Sequence, residues 1–248
     1  MGSTISMQRR HTRHSNSPET TGGENYAQRV VEIATPYLGR RWLGVGDGIA
    51  PVGLLALDCE SLVVVESDPF SVARLKRQFN ARPDVRVVPG EVGNAAHAMR
   101  WRDERPDTVL CVNLLEHLER DGPALNEIFS TLMPGGHAII VVPAGESLFN
   151  ELDVHEGHHR RYSSEELARK LKLAGLEVVH AELFGKLDAI DWAVSGYLGV
   201  RLSQWRPMAW LKGWRPTARL FDSLLPVPAA SLAMIGRKPA RTEQRRAA

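Results

Sequence analysis

The chain has 248 residues, of which 43% are hydrophobic, 24% charged and 6% aromatic, and its formal net charge is +2. These are ordinary values for a soluble globular domain, which excludes collagen, low-complexity disorder and a small disulfide scaffold. So slight a charge provides no basic face for a nucleic acid, and no run of about 20 apolar residues is present to cross a membrane.

Residues 1–22 are rich in Ser, Thr, Arg and His, lack periodicity and carry no apolar signal core, so a disordered tail and a cytoplasmic protein are expected. From Glu24 to Leu38, Val30, Val31, Ile33 and Ala34 recur at helical spacing until Pro36 and Gly39. Trp42–Val45 reads as a strand, Val52–Leu57 as a helix and Leu62–Val65 as a second strand ending at Glu66. A helix with Val72, Leu75 and Phe79 on one face follows, then strands at Val85–Val88 and Thr108–Val112. Leu114–Leu132 reads as largely helical, and Ala138–Val142 as a fifth strand after the Met133-Pro134-Gly135-Gly136 turn. Residues 144–162 form a polar, His-rich loop, Ser164–Ala174 a helix ended by Gly175, and Leu176–Phe184 a strand.

Alternating strands and helices predict a mainly parallel sheet covered on both faces. The expected division is a core over 23–185, a helical cap over 186–230, a last strand over 231–239 and a tail over 240–248. Cys59 and Cys111 lie in or beside apolar runs and are expected as buried thiols in a reducing compartment, not as a disulfide.

Polar signals gather at the ends of the strands. The run Gly44-Val45-Gly46-Asp47-Gly48-Ile49-Ala50 fits close backbone approach to a ligand, or simply a tight turn. It lacks the Lys-Ser/Thr of a phosphate loop, and Pro51 breaks the dinucleotide fingerprint, which argues against a dehydrogenase. Glu66 stands where a carboxylate takes ribose hydroxyls. Asp68, followed by Pro69, is the better helix cap and leaves Glu66 for a ligand. Gly90-Glu91-Val92 could meet an adenine, and Asn113-Leu114-Leu115-Glu116-His117 follows the fourth strand. Open α/β sheets bind at these carboxyl ends, so the four features together describe an adenosine-type site.

With Glu24-Asn25-Tyr26, Glu66-Ser67-Asp68-Pro69, Met133-Pro134-Gly135-Gly136, and Leu152-Asp153 before Gly157-His158-His159-Arg160-Arg161-Tyr162, the sequence resembles the class I S-adenosylmethionine-dependent methyltransferases, a bacterial small-molecule subgroup in particular. The resemblance implies a Rossmann-like seven-stranded sheet with the last strand antiparallel. It implies S-adenosylmethionine as cofactor and S-adenosylhomocysteine as product. By the same resemblance Gly46, Asp47 and Gly48 pass under the methionine part, Glu66 and Ser67 hold the ribose, Glu91 and Val92 the adenine, and Asn113 and Leu114 the amine, with Tyr26 closing over them. Two positions depart from the family pattern. Gly44 replaces a usual acid and Ala50 a usual glycine, which predicts weaker cofactor binding, with Asp47, Glu24 or Asn25 as substitutes for the acid.

His155, His158, His159 and Tyr162 crowd the loop after the fifth strand and are the candidates for acceptor contact and proton transfer, against an ordering role for the same loop. With Asp153 the three histidines could bind a metal, but their spacing matches no standard pattern, and none is expected. Asn25, His117, Phe149, Asp188 and Trp192 are the candidate substrate contacts; His117 reads equally well as a buried, hydrogen-bonded histidine, and the cap tryptophans as packing. The expected activity is methyl transfer to the O, N or C of a small aromatic or heteroaromatic specialised metabolite, indole carbon included. The alternatives are a degenerate module that binds without turnover, or a sugar or lipid acceptor at a membrane surface; an oligomer stays open.

Overall fold

The computed structural model describes residues 23–46, 48–49, 59–94, 101–198, 224 and 226–240. The expected N-terminal tail, the helix near 52–57, Asp47, Ala50, residues 199–223 and 225 of the cap, and the tail from residue 241 lie outside the described residues.

The elements run α1 (Gly23–Ala34), β1 (Arg41–Val45), β2 (Ser61–Glu66), α2 (Pro69–Gln78), β3 (Val85–Pro89), β4 (Thr108–Val112), α3 (Gly122–Thr131), β5 (His137–Pro143), α4 (Glu151–His155), α5 (Ser164–Leu173), β6 (Glu177–Phe184), α6 (Lys186–Leu198) and β7 (Ser231–Arg237). The seven strands form one sheet in the order β3-β2-β1-β4-β5-β7-β6. Strands β1 to β5 are parallel, while β7 inserts antiparallel between β5 and β6. This matches the Rossmann-like seven-stranded sheet with an antiparallel last strand that the resemblance implies.

Both faces are apolar because successive side chains along a strand point to opposite sides. Leu43, Val45, Val63, Val65, Val109 and Cys111 pack on one face with Leu125 and Ile128 of α3 and Leu167 and Leu171 of α5. Trp42, Leu62, Val64, Leu110 and Val112 pack on the other with Val30 and Ile33 of α1 and Leu75 of α2. Cys111 is fully buried and Cys59 half-buried, and both are free thiols.

The stretch from Leu114 to Leu132 is largely helical, in two pieces: a 3-10 turn over Leu115–His117, then α3 from Gly122 with Pro123 in its first turn. A proline suits a helix start but not its interior. One sequence expectation is corrected: the His-rich stretch is not all loop. Asn150 and Asp153 form a reciprocal capping box that turns Glu151–His155 into a helix.

Candidate active site

In the sheet order, β1 runs on to β2 and β3 on one side while β4 lies on the other, so the switch point falls between the ends of β1 and β4, where open α/β sheets bind ligands. The two loops leaving these strands are fitted to each other. Gly46 has φ +81°, and a side chain there would begin 3.3 Å from Leu114 Cδ1. A β-carbon on Gly48 would lie 2.1 Å from the Val112 carbonyl oxygen. Gly46 is thus favoured by its left-handed backbone and Gly48 by close backbone approach at the switch point. Asn113 itself is left-handed, with φ +49°, a conformation that asparagine tolerates better than most residues and that recurs at functional sites. Its amide donates to the Val141 carbonyl, and its Oδ1 accepts from the Tyr26 hydroxyl at 3.0 Å. Tyr26 on α1 thus reaches across to β4, with its ring 5.7 Å from that of Phe184.

The Gly44 departure has a structural counterpart. A side chain at 44 would begin 2.9 Å from Ile49 Cγ1, and Ile49 is fully buried among Val30, Leu110 and Val112. The space an acid would need is filled by an apolar side chain from the glycine loop.

At the end of β2, Glu66 is only 5% exposed. Its Oε1 accepts from the Asp68 amide at 2.7 Å and from Ser67 Oγ at 3.4 Å. Asp68 in turn caps α2 by accepting from the Ser71 amide, with Pro69 in the first turn. After β3, the Gly90 amide donates to the Glu66 carbonyl. A β-carbon on Gly90 would press on the Trp101 ring. Glu127 of α3 ties this region together, accepting from the Gly93 amide at 2.6 Å and from Trp101 Nε1 at 2.9 Å. Val92 is buried and Glu91 exposed beside that brace.

The second half of the site is organised by Asp153, a fully buried carboxylate. It accepts from Arg161 Nε at 2.8 Å, the Asn150 amide at 3.1 Å and Trp192 Nε1 at 3.1 Å, and pairs with His158 Nδ1 at 2.8 Å. The Arg161 guanidinium also lies 4.8 Å from the Trp192 ring centre. Close docking of α6 makes this reach feasible: a β-carbon at Gly196 would sit 2.3 Å from the Asn150 side chain, so the helix that carries Trp192 comes down directly on the cap of α4.

His158 stacks near Trp192 at 6.5 Å and meets His117 edge-on at 4.8 Å. Beside them, Glu116 is fully buried, and neither carboxylate oxygen has a hydrogen-bond partner among the described residues. Burial raises its carboxyl to about 7, against the opposing pull of His158 and Arg161. Burial, the charge of Glu116 and, more weakly, Asp188 push the Tyr26 hydroxyl up, so the two halves of the site share one electrostatic environment.

The other sequence candidates fall elsewhere. Tyr162 is fully buried, with its hydroxyl 2.9 Å from Asp121 Oδ2 and 3.1 Å from the Leu115 carbonyl, so it braces α5 against the β4 loop. His155 is exposed at the end of α4. His159 is also exposed, and its amide donates to the Glu116 carbonyl. Phe149 is half-buried just before the α4 cap, Asp188 sits on the first turn of α6, and only the backbone of Asn25 on α1 is described. Sequence alone assigns Glu116 no site role and Asp153 only a possible place in a metal set with the loop histidines; the available signals are an acid beside His117 and an acid five residues before His158.

The sequence profile of a methyltransferase-domain family matches residues 24–181. The chain belongs to this family. It is an S-adenosylmethionine-dependent methyltransferase of class I, with S-adenosylmethionine as its cofactor. Among solved structures, this methyltransferase is similar to the N-methyltransferase NodS of Bradyrhizobium japonicum in complex with S-adenosylhomocysteine, with 15% identity, a TM-score of 0.57, and coverage of 92% of this chain and 91% of that one. It is also similar to a SAM-dependent methyltransferase from Archaeoglobus fulgidus, with 16% identity, a TM-score of 0.57, and coverage of 87% and 94%. For the YcgJ protein of Bacillus subtilis the identity is 14%, the TM-score 0.59, and the coverage 87% and 99%. No curated protein sequence matches the chain. No helix among the described residues is long and apolar enough to cross a membrane.

One prediction belongs to the Tyr162 brace. Tyr162→Phe is expected to lower stability by about 1 kcal/mol, because Asp121 loses a buried donor. Burial opposes ionisation of Asp121, but Lys170 and Tyr162 outweigh it and hold the carboxyl below its usual range. A depressed folded-state pKa gives stability that is complete above about pH 4 and falls away as the pH drops further. Thermal melts of wild type and Asp121→Asn from neutral to acid pH should therefore differ near neutrality and converge in acid; a constant gap would refute the assignment.

Proposed function

We propose that this methyltransferase methylates a small, aromatic or heteroaromatic acceptor, held between the Glu116-His117-His158 cluster and α6. The observation that carries the reading is Glu116. A buried carboxylate without partners is costly, and proteins keep such groups where a ligand completes them. Its neighbours His158 and Trp192 are held in place by Asp153, and Trp192 adds an aromatic wall of the kind small-molecule pockets use.

The cradle suits the cofactor. Gly46 and Gly48 pass under its methionine part, Glu66 with Ser67 takes the ribose, Glu91 and Val92 meet the adenine, and Asn113 and Leu114 meet the amine, with Tyr26 latched to Asn113 above. Bound there, S-adenosylmethionine supplies the methyl group for an in-line displacement. The chain's own work is to align the acceptor, exclude water through the docked α6, and take a proton from an acceptor O or N. His158, oriented through Nδ1 by Asp153, is the group placed for contact. Tyr162 acts through positioning. Asn25, Phe149 and Asp188 complete the proposed acceptor lining, and Asp47 is assigned with Gly46 and Gly48 to the cofactor's methionine part.

The test is transfer of a labelled methyl group from S-adenosylmethionine to panels of phenols, indoles and sugars. Label is expected in a phenol or indole. Label in a sugar would overturn the acceptor class. Bound cofactor with no label in any panel would support the degenerate module instead.

A further inference from the structure

We infer that Glu116, His117 and His158 form a binding site for a divalent transition-metal ion of the zinc type at the acceptor side of the cleft. Each of the three offers a ligand atom, and these atoms all lie within 4.8 Å of one another. Two independent observations turn this cluster into a site. The first is the fully buried Glu116 carboxylate, whose oxygens have no hydrogen-bond partner among the described residues. A cation is the ligand that satisfies both the charge and the lone pairs of such a group.

The second is the pairing of His158 Nδ1 with Asp153 at 2.8 Å. A carboxylate at Nδ1 fixes the proton on that nitrogen and turns the Nε2 lone pair outward, the arrangement that supports histidine as a metal ligand. Asp153 is held in turn by Arg161, Asn150 and Trp192, so the supporting shell is rigid. Metal–ligand bonds of about 2.0–2.2 Å bring ligand atoms to about 3–3.5 Å of one another, so Glu116 and His117 must close toward the fixed His158 when the ion binds. Two imidazoles and one carboxylate favour zinc, iron(II), cobalt or nickel over magnesium and calcium, which prefer all-oxygen sets. Three protein ligands leave positions open, as in catalytic metal sites. The set differs from the one weighed from sequence: His155 and His159 are exposed and lie outside the cluster.

The role of the ion rests on the proposed function. An acceptor oxygen at an open position loses its proton more readily, so the ion does the work otherwise left to a general base.

The test uses the full chain, stripped with a chelator and dialysed, then titrated with Zn2+ and, separately, Co2+. Bound metal is counted by elemental analysis and the Co2+ site is read by its visible ligand-field bands. S-adenosylhomocysteine binding is measured on the same samples. Wild type is expected to bind one equivalent with Co2+ bands of four- or five-coordination. Glu116→Gln and His117→Ala are each expected to weaken Zn2+ binding at least tenfold without changing S-adenosylhomocysteine binding, while His180→Ala, on β6, changes neither. Retention of the metal by both cluster variants, or no stoichiometric binding by wild type, would overturn the metal site. If wild type still binds S-adenosylhomocysteine in that case, the methyltransferase reading stands; loss of that binding as well would count against the proposed function.

Discussion

Asp153→Ala is expected to destabilise the protein by about 3–5 kcal/mol, the cost of leaving a buried charge without its partner. The Arg161 side chain is 3% exposed and meets Asp153 through Nε at 2.8 Å. Of its other contacts, the Ala144 carbonyl and the Trp192 face carry no negative charge, and the nearby Glu116 carboxyl, raised by burial, makes no hydrogen bond to it. The same substitution removes the Nδ1 partner of His158, the Nε1 partner of Trp192 and one side of the α4 capping box. For a chain of this size the loss corresponds to a fall in Tm on the order of 10 °C. Asp153→Asn should recover part of this, since the amide oxygen can still accept while the charge is gone. Melts of the two variants check the argument; an Ala variant within about 1 kcal/mol of wild type would show that the hub carries little energy.

Glu66→Ala is expected to weaken S-adenosylhomocysteine binding by about 1.5–3 kcal/mol, roughly ten- to hundredfold in Kd, as loss of hydrogen bonds to a charged acceptor should. The carboxylate is already oriented by the Asp68 amide and by Ser67, so the proposed ribose contact needs no rearrangement. Asp68 caps α2 through its own side chain, independently of the Glu66 side chain. The unliganded variant should therefore keep a near-wild-type Tm while its Kd rises. Unchanged affinity in calorimetry would refute the ribose assignment.

Much of this layout is legible in the sequence. The apolar runs at Leu62–Val65 and Thr108–Val112 become buried central strands because both faces of a parallel sheet are covered. Glu66, the glycine loop and Asn113 stand out because strand ends are where polar residues interrupt apolar runs. The remainder depends on contacts that are distant in sequence. Ile49 filling the space beside Gly44 has no local signature, since the two meet only when the loop folds back on β1. Tyr162 looks like a member of a reactive motif, yet its hydroxyl finds Asp121, 41 residues away. That the Glu116 carboxylate finds no hydrogen-bond partner among the described residues follows from burial, which the histidine beside it in sequence does not reveal. The break at Gly122-Pro123 was readable by local rules, but the apolar residues on either side masked it.

The switch point between β1 and β4 should hold the cofactor although Ile49 occupies the space beside Gly44. The decisive measurement is calorimetric titration of the full chain with S-adenosylhomocysteine. One saturable site of micromolar affinity is expected, with a Tm that rises with ligand concentration. No heat and no Tm shift up to millimolar ligand would refute such a site.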